Sequence, residues 1–230
     1  MASHAHSPAV NDPHDPHAGH HYTSTGLDNR KIAIWAFIGS ECMLFASLIS
    51  TYLAYKGRSV VGPYPHTPWT DPSSGRQFPA ILDIPVTSAS TFVLLMSSLF
   101  MVLAHNAVVN KLVPKSTTGE RIIGSSKLWL AGTALFGLIF LMFQAYEFTS
   151  FVHEGLTIRT NLFGSSFFTL TGFHGAHVTA GVIWLLSLLA IDFKRGLVPS
   201  DALNVDLAAL YWHFVDVVWI VIFTLVYLIQ

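Results

Sequence analysis

Charge is scarce in this chain. Asp, Glu, Lys and Arg make up 11% of its 230 residues, where a soluble globular domain carries about 25%. With 52% hydrophobic and 13% aromatic residues, that shortage points to lipid as the surrounding solvent, and the chain reads as an integral membrane protein. Cysteine is scarcer still. Cys42 is the only one, which excludes an internal disulfide and a thiolate metal cluster; lying in an apolar run, it reads as a small buried filler. A glycine-rich phosphate loop is missing, and a formal net charge of −1 offers nothing to nucleic acid. Alternation of apolar and polar residues is missing too, which excludes an outer-membrane barrel. The first residues lack the basic start and apolar core of a secretory signal.

What is present is five apolar runs, about residues 32–54, 86–109, 128–150, 165–190 and 208–228. A spanning helix needs roughly 20 residues to cross ~30 Å of hydrocarbon. In lipid each segment must satisfy its own backbone groups, so these runs are expected as helices. The fold class is therefore all-α, a bundle of five transmembrane helices within residues 29–230. The connection 55–85 is rich in proline and glycine, and Pro85 is placed to open the second helix. Residues 1–28 are polar and hold His4, His6, His14, His17, His20 and His21, half of the 12 histidines. With little apolar surface to bury, this segment is expected to be a disordered, solvated tail. A His-rich tract can bind metal, but only with ligands held in fixed geometry. Arg30, Lys31, Lys111, Lys115, Arg121, Lys127, Lys194 and Arg195 fall on one side of the membrane, and Lys56, Arg58, Arg76 and Arg159 on the other. That count of 8 against 4 puts the N-terminus in the cytoplasm and the C-terminus outside.

Against this apolar background stand Glu41, Glu147, His174, His177, His213 and Asp216. An ionisable side chain inside a bilayer costs several kcal/mol unless it faces protein or water and finds a partner, which makes all six candidates for a polar membrane cluster. His174 and His177 are three apart and so share a helix face, as do His213 and Asp216; both pairs are expected to point into the bundle. Two such histidines beside a carboxylate can ligate iron, zinc or manganese. The four-helix carboxylate sites, however, use Glu-x-x-His on two helices, whereas this chain has His-Gly-Ala-His and His-Phe-Val-Asp. The reading is a hydrogen-bonded cluster without metal. Glu41 has no Lys or Arg in its span and must be neutral, paired or wet. Counted at 1.5 Å per residue, Glu41 lies ~13 Å from the N-terminal side of the bilayer, with His177 and Asp216 at ~12 Å. A direct or single-water hydrogen bond from Glu41 to His177 is expected, with Asp216 as the second candidate. Gly172, Gly175, Ala176, Ala180 and Gly181 let a neighbouring helix approach the fourth span, and Trp129, Trp184, Trp212 and Trp219 read as aromatic anchors.

Six segments carry a family resemblance: GSECMLF around Glu41, LDIPVTS at 82–88, QAYEF at 144–148, FGSSFF at 163–168, GFHGAHV at 172–178 and YWHFVDVVW at 211–219. In order and spacing they resemble subunit III of the haem-copper respiratory oxidases, in the five-span bacterial version, from residue 30 to the end. The resemblance implies an accessory subunit of a terminal oxidase, in the bacterial inner membrane, that reduces oxygen to water and pumps protons. It implies haem and copper in partner subunits and none in this chain. It implies direct docking on subunit I beside other oxidase subunits, stabilisation of subunit I, and support of proton uptake. Phospholipid is expected in a cleft, with headgroups near Arg or Lys at helix ends. Glu41 matches the family's carbodiimide-reactive membrane carboxylate. Seven-span members have two further helices at the start, one wall of that cleft, which have no counterpart here. Phe173, QAYEF and Glu at position 41 look more like the cytochrome c oxidase branch; subunit III of a quinol oxidase, which also ends in a Trp-His-Phe…Asp-Val-Val-Trp segment, is the alternative. A proton-coupled transporter would also place Glu, His and Asp in the membrane, but the sequence shows no internal repeat or broken helix of the transporter kind.

Overall fold

The computed structural model describes residues 28–110 and 124–229. The His-rich tail expected at 1–28, apart from Asp28, lies outside the described residues, as do Lys111, Lys115 and Arg121. Five helices carry the chain: α1 (Asn29–Tyr55), α2 (Ile84–Val109), α3 (Ser126–His153), α4 (Leu162–Lys194) and α5 (Ala202–Phe223). A 3-10 turn at Pro199–Asp201 leads into α5 and a π turn at Thr224–Leu228 follows it. All five are long and apolar enough to cross a membrane.

Each apolar run is extended into polar residues that stop it. The side chains of Asp28, Asp83, Ser125 and Asn161 accept backbone N–H groups in the first turns of α1, α2, α3 and α4, satisfying donors that a helix start leaves orphaned. Pro85 sits in the first turn of α2, where its missing N–H costs nothing. Gly155 after α3 and Gly196 after α4 take φ of 88° and 75°, the left-handed conformation that ends a helix and that glycine adopts without strain.

Helix α3 packs between α2 and α4, α5 packs against α2 and α4, and α1 lies outermost, against α4 and α5. The core is centred on α5. Its Trp212 and Trp219 are 1% and 2% exposed, so they are core residues and not the interfacial anchors their type suggests. Both indoles are satisfied by α2: Trp212 Nε1 donates to Ser97 Oγ and Trp219 Nε1 to Thr91 Oγ1, each at 2.9 Å. Glycines make the space. A Cβ on Gly137 of α3 would lie 2.6 Å from the Trp212 ring, and one on Gly181 of α4 2.8 Å from it. Gly175 likewise lies against the Gln144 amide, while Gly172 faces open space and Ala176 and Ala180 are exposed. Trp129 and Trp184 are partly buried against the core. Because α1 buries only Phe45 and Tyr52, Cys42 falls on its outward side and is exposed, not the buried filler expected.

Residues 56–83 fold over the C-terminal side of the bundle. A short hairpin pairs β1 (Trp69–Thr70) with β2 (Gln77–Phe78), and Trp69 stacks on Phe78. Asn161 Nδ2 donates to the carbonyls of Val61 and Pro63 at 2.9 and 3.0 Å. Ser59 Oγ accepts the Phe163 N–H at 3.0 Å, and Lys56 Nζ donates to the Ile229 carbonyl. His66 faces the Val226 backbone; burial, aided by the Lys56 charge, holds its pKa below the usual histidine value. On the opposite side Lys31 pairs with Asp206 at 2.8 Å. There the fully buried Asp192 accepts from Ser126 Oγ at 2.5 Å and from the Leu197 N–H at 2.8 Å, tying the ends of α3 and α4 together.

Candidate functional site

Glu41 and His177 meet where α1 crosses α4. Glu41 Oε2 lies 3.0 Å from His177 Nε2, a direct hydrogen bond at the depth expected from helix rise. His177 Nδ1 lies 2.8 Å from the Phe173 carbonyl, one turn back on α4. A carbonyl only accepts, so Nδ1 carries a hydrogen. Nε2 then either accepts from a protonated Glu41 or donates to an ionised one. In both cases the pair shares one proton and has no net charge, the condition under which an acid and a base sit cheaply at mid-membrane. Phe45, one turn from Glu41, sets its ring edge against His177 at 5.1 Å, and Tyr211 of α5 donates to the His177 carbonyl at 3.0 Å.

The other four groups are placed elsewhere. Asp216 does not reach Glu41: it accepts from Ser98 Oγ of α2 at 2.6 Å, while His213 Nδ1 lies 3.2 Å from that same hydroxyl. With the Ser98 proton given to Asp216, His213 Nδ1 is the donor to Ser98, making a His213–Ser98–Asp216 chain across the α2–α5 contact. His174 is fully buried at the bundle centre, stacked on Trp219 at 4.8 Å and edge-on to Phe140 at 5.8 Å; neither ring nitrogen has a hydrogen-bond partner among the described residues. Glu147 bonds to Thr87 across the α2–α3 contact. The six residues therefore occupy four separate places and form no single cluster. The shared face expected of His174 and His177 is too coarse. Positions three apart differ by about 60° around a helix of 3.6 residues per turn, which separates the bundle centre from the α1 edge. Among the described residues no three His, Cys, Asp or Glu side chains are grouped to hold a metal ion.

Sequence reasoning missed the hydroxyls. Thr87, Thr91, Ser97 and Ser98 of α2 serve Glu147, Trp219, Trp212 and Asp216 in turn. Ser and Thr in a helix can bond to their own preceding turn, so their types do not reveal that they reach across to a neighbour. The one signal was their number on a single span.

A family model for cytochrome c oxidase subunit III matches residues 14–230. Cytochrome c oxidase subunit 3 of Bacillus sp. (strain PS3) is 40% identical over 200 residues, 87% of this chain and 86% of that protein. Quinol oxidase subunit 3 of Bacillus subtilis (strain 168) is 36% identical over 197 residues, 86% of this chain and 85% of that protein. Cytochrome bo(3) ubiquinol oxidase subunit 3 of Pseudomonas aeruginosa is 34% identical over 221 residues, 94% of this chain and 93% of that protein.

Proposed function

The chain belongs to the cytochrome c oxidase subunit III family and is a multi-pass subunit of a respiratory oxidase complex of the bacterial inner membrane; from that premise we propose that it serves an oxidase whose electron donor is cytochrome c. The observation that carries the choice of donor is the 40% identity to a cytochrome c oxidase subunit, against 36% and 34% to the two quinol oxidase subunits. Phe173, the QAYEF segment and Glu at position 41 favour the same branch.

In this reading haem and copper sit in partner subunits, and this chain supplies support. Its membrane histidines are spent internally: His177 on Glu41 and Phe173, His213 on Ser98, and His174 on the Trp219 stack. Subunit I is the direct partner, with other oxidase subunits beside it. Helix α1, fastened to α4 by Glu41 and His177 but burying only two residues, offers the open side on which phospholipid would lie, its headgroups near Lys or Arg, whose long stems let the charge reach the membrane surface. Support of subunit I and of its proton uptake is the role that follows. The 8-to-4 split of basic residues favours a cytoplasmic N-terminus and an external C-terminus.

The test is purification of the native complex, an absorption spectrum, and turnover with reduced cytochrome c against a quinol. Haem bands and oxidation of cytochrome c are expected. Turnover with quinol and not with cytochrome c would overturn the donor, and a chain that purifies without a haem-bearing partner would overturn the whole reading.

A further inference from the structure

Glu147 is the membrane carboxylate left without a role. It lies on α3, 5% exposed, and among the described residues its hydrogen-bond partner is Thr87. An ionised carboxylate has about four acceptor sites, and a carboxylate in a span calls for a named partner. The space beside it supplies a candidate. A cavity of ≈ 380 Å³ opens between the start of α2 and the end of α3, lined by Asp83, Glu147, Ser150 and Glu154 among apolar residues, with no Lys or Arg among the described residues that line it. Burial pushes the Glu154 carboxyl up.

A second cavity of ≈ 400 Å³ adjoins the first and shares Val86 and Tyr146 with it; its remaining lining is Ile139, Met142 and Phe143. Along α3, Ser150 and Ile139 are eleven residues apart, ~16 Å at 1.5 Å per residue, about half of the ~30 Å hydrocarbon thickness. The two cavities thus make one furrow, acidic at the membrane boundary and apolar toward the midplane, each part within the ~300–1,000 Å³ usual for small-ligand sites. An anionic headgroup would meet three carboxylates and no compensating cation. A bare metal ion would leave the apolar half unfilled. The complement is an amphiphile with an ammonium head and a hydrocarbon chain.

We propose that the α2–α3 furrow binds an aminophospholipid of the surrounding bilayer, with an acyl chain along α3 and the primary ammonium against Glu147, Asp83 and Glu154 at the rim. The ammonium gives the buried carboxylate its missing charge partner, and the acidic rim selects against anionic lipids. This site lies on different helices from the open side of α1 and has the opposite charge preference.

The test uses the intact oxidase complex in nanodiscs of equal parts phosphatidylethanolamine and phosphatidylglycerol, transferred to mild detergent, with retained lipid counted by native mass spectrometry. The unaltered complex is expected to hold phosphatidylethanolamine in preference. Glu147→Gln, which keeps an acceptor for Thr87, should retain one fewer per complex, its retention falling at least tenfold at that site. Met142→Trp, which fills the apolar half and leaves the rim intact, should do the same. The mass of the complex shows that this subunit is retained and haem content reports its partners, so lost lipid with the subunit present and full haem reads on this site and not on the subunit assignment. Equal retention by all three proteins, preference for phosphatidylglycerol, or a partner's helix seated in the furrow would overturn the proposal.

Discussion

Removing the Glu41 carboxyl isolates one atom. In Glu41→Ala the Phe173 carbonyl still holds the His177 Nδ1 hydrogen at 2.8 Å, so the ring keeps its tautomer and Nε2 is left as a buried acceptor with no donor. Leaving such a group unsatisfied costs ~1–3 kcal/mol. The two side chains are 17% and 15% exposed, which places the expected loss at the lower end, about 1–2 kcal/mol, or roughly 5–30-fold in an equilibrium. In Glu41→Gln the amide N–H₂ donates to Nε2 in place of the acid, and stability should stay within about 0.5 kcal/mol of the parent. The assay is heat- or chaotrope-driven release of this subunit from the purified complex, with initial turnover measured alongside; turnover should persist in both variants. A double-mutant cycle with His177→Ala should return a coupling above about 0.5 kcal/mol. If Glu41→Gln is as damaging as Glu41→Ala, or the coupling vanishes, the shared-proton pair does not hold α1 to α4.

Two further outcomes follow from other parts of the molecule. Gly181→Ala drives a Cβ to 2.8 Å from the buried Trp212 ring and should cost ~1–3 kcal/mol through overpacking. Gly172→Ala on the same helix meets nothing within 4 Å and should be silent; equal melting temperatures for the two variants would refute the cradle around Trp212. Burial first, and the Lys56 charge second, depress the His66 pKa from 6.5. The folded loop therefore prefers the neutral ring, and this contribution is complete above pH ~6.5 and is lost as pH falls through the lower folded value. Hydrogen-exchange protection of residues 56–83 should drop on acidification in the parent and stay flat in His66→Gln; parallel profiles would refute it.

The five helices were legible because a span is a long, unmixed signal, and proline and capping residues mark where it stops. Glu41 and His177 were legible for a related reason: depth along a straight helix follows from counting. Azimuth does not. Whether His174 faces the centre or α1, and whether Trp212 is an anchor or a core residue, depends on which neighbour stands at each angle around α4 and α5. In lipid that choice leaves little trace in residue type, since both sides of a span are apolar. Trp212 goes inward because Gly137, Gly181 and Ser97 prepare a place for it, and those three residues come from three other helices. Furrows between helices, such as the one beside Glu147, depend on the same unread angles.

The seats of the loop at 56–83 bear on biogenesis. The segment joins α1 and α2, yet it is held by Asn161 and Phe163 at the start of α4 and by Val226 and Ile229 beyond α5. Chains emerge from the ribosome N-terminus first, so this segment must wait for its seats until α4 and α5 are in the membrane. Its docking is then a late step of assembly: a chain stalled before α4 has no seat for Ser59, Val61 or Pro63, and one stalled before α5 has none for Lys56 or His66.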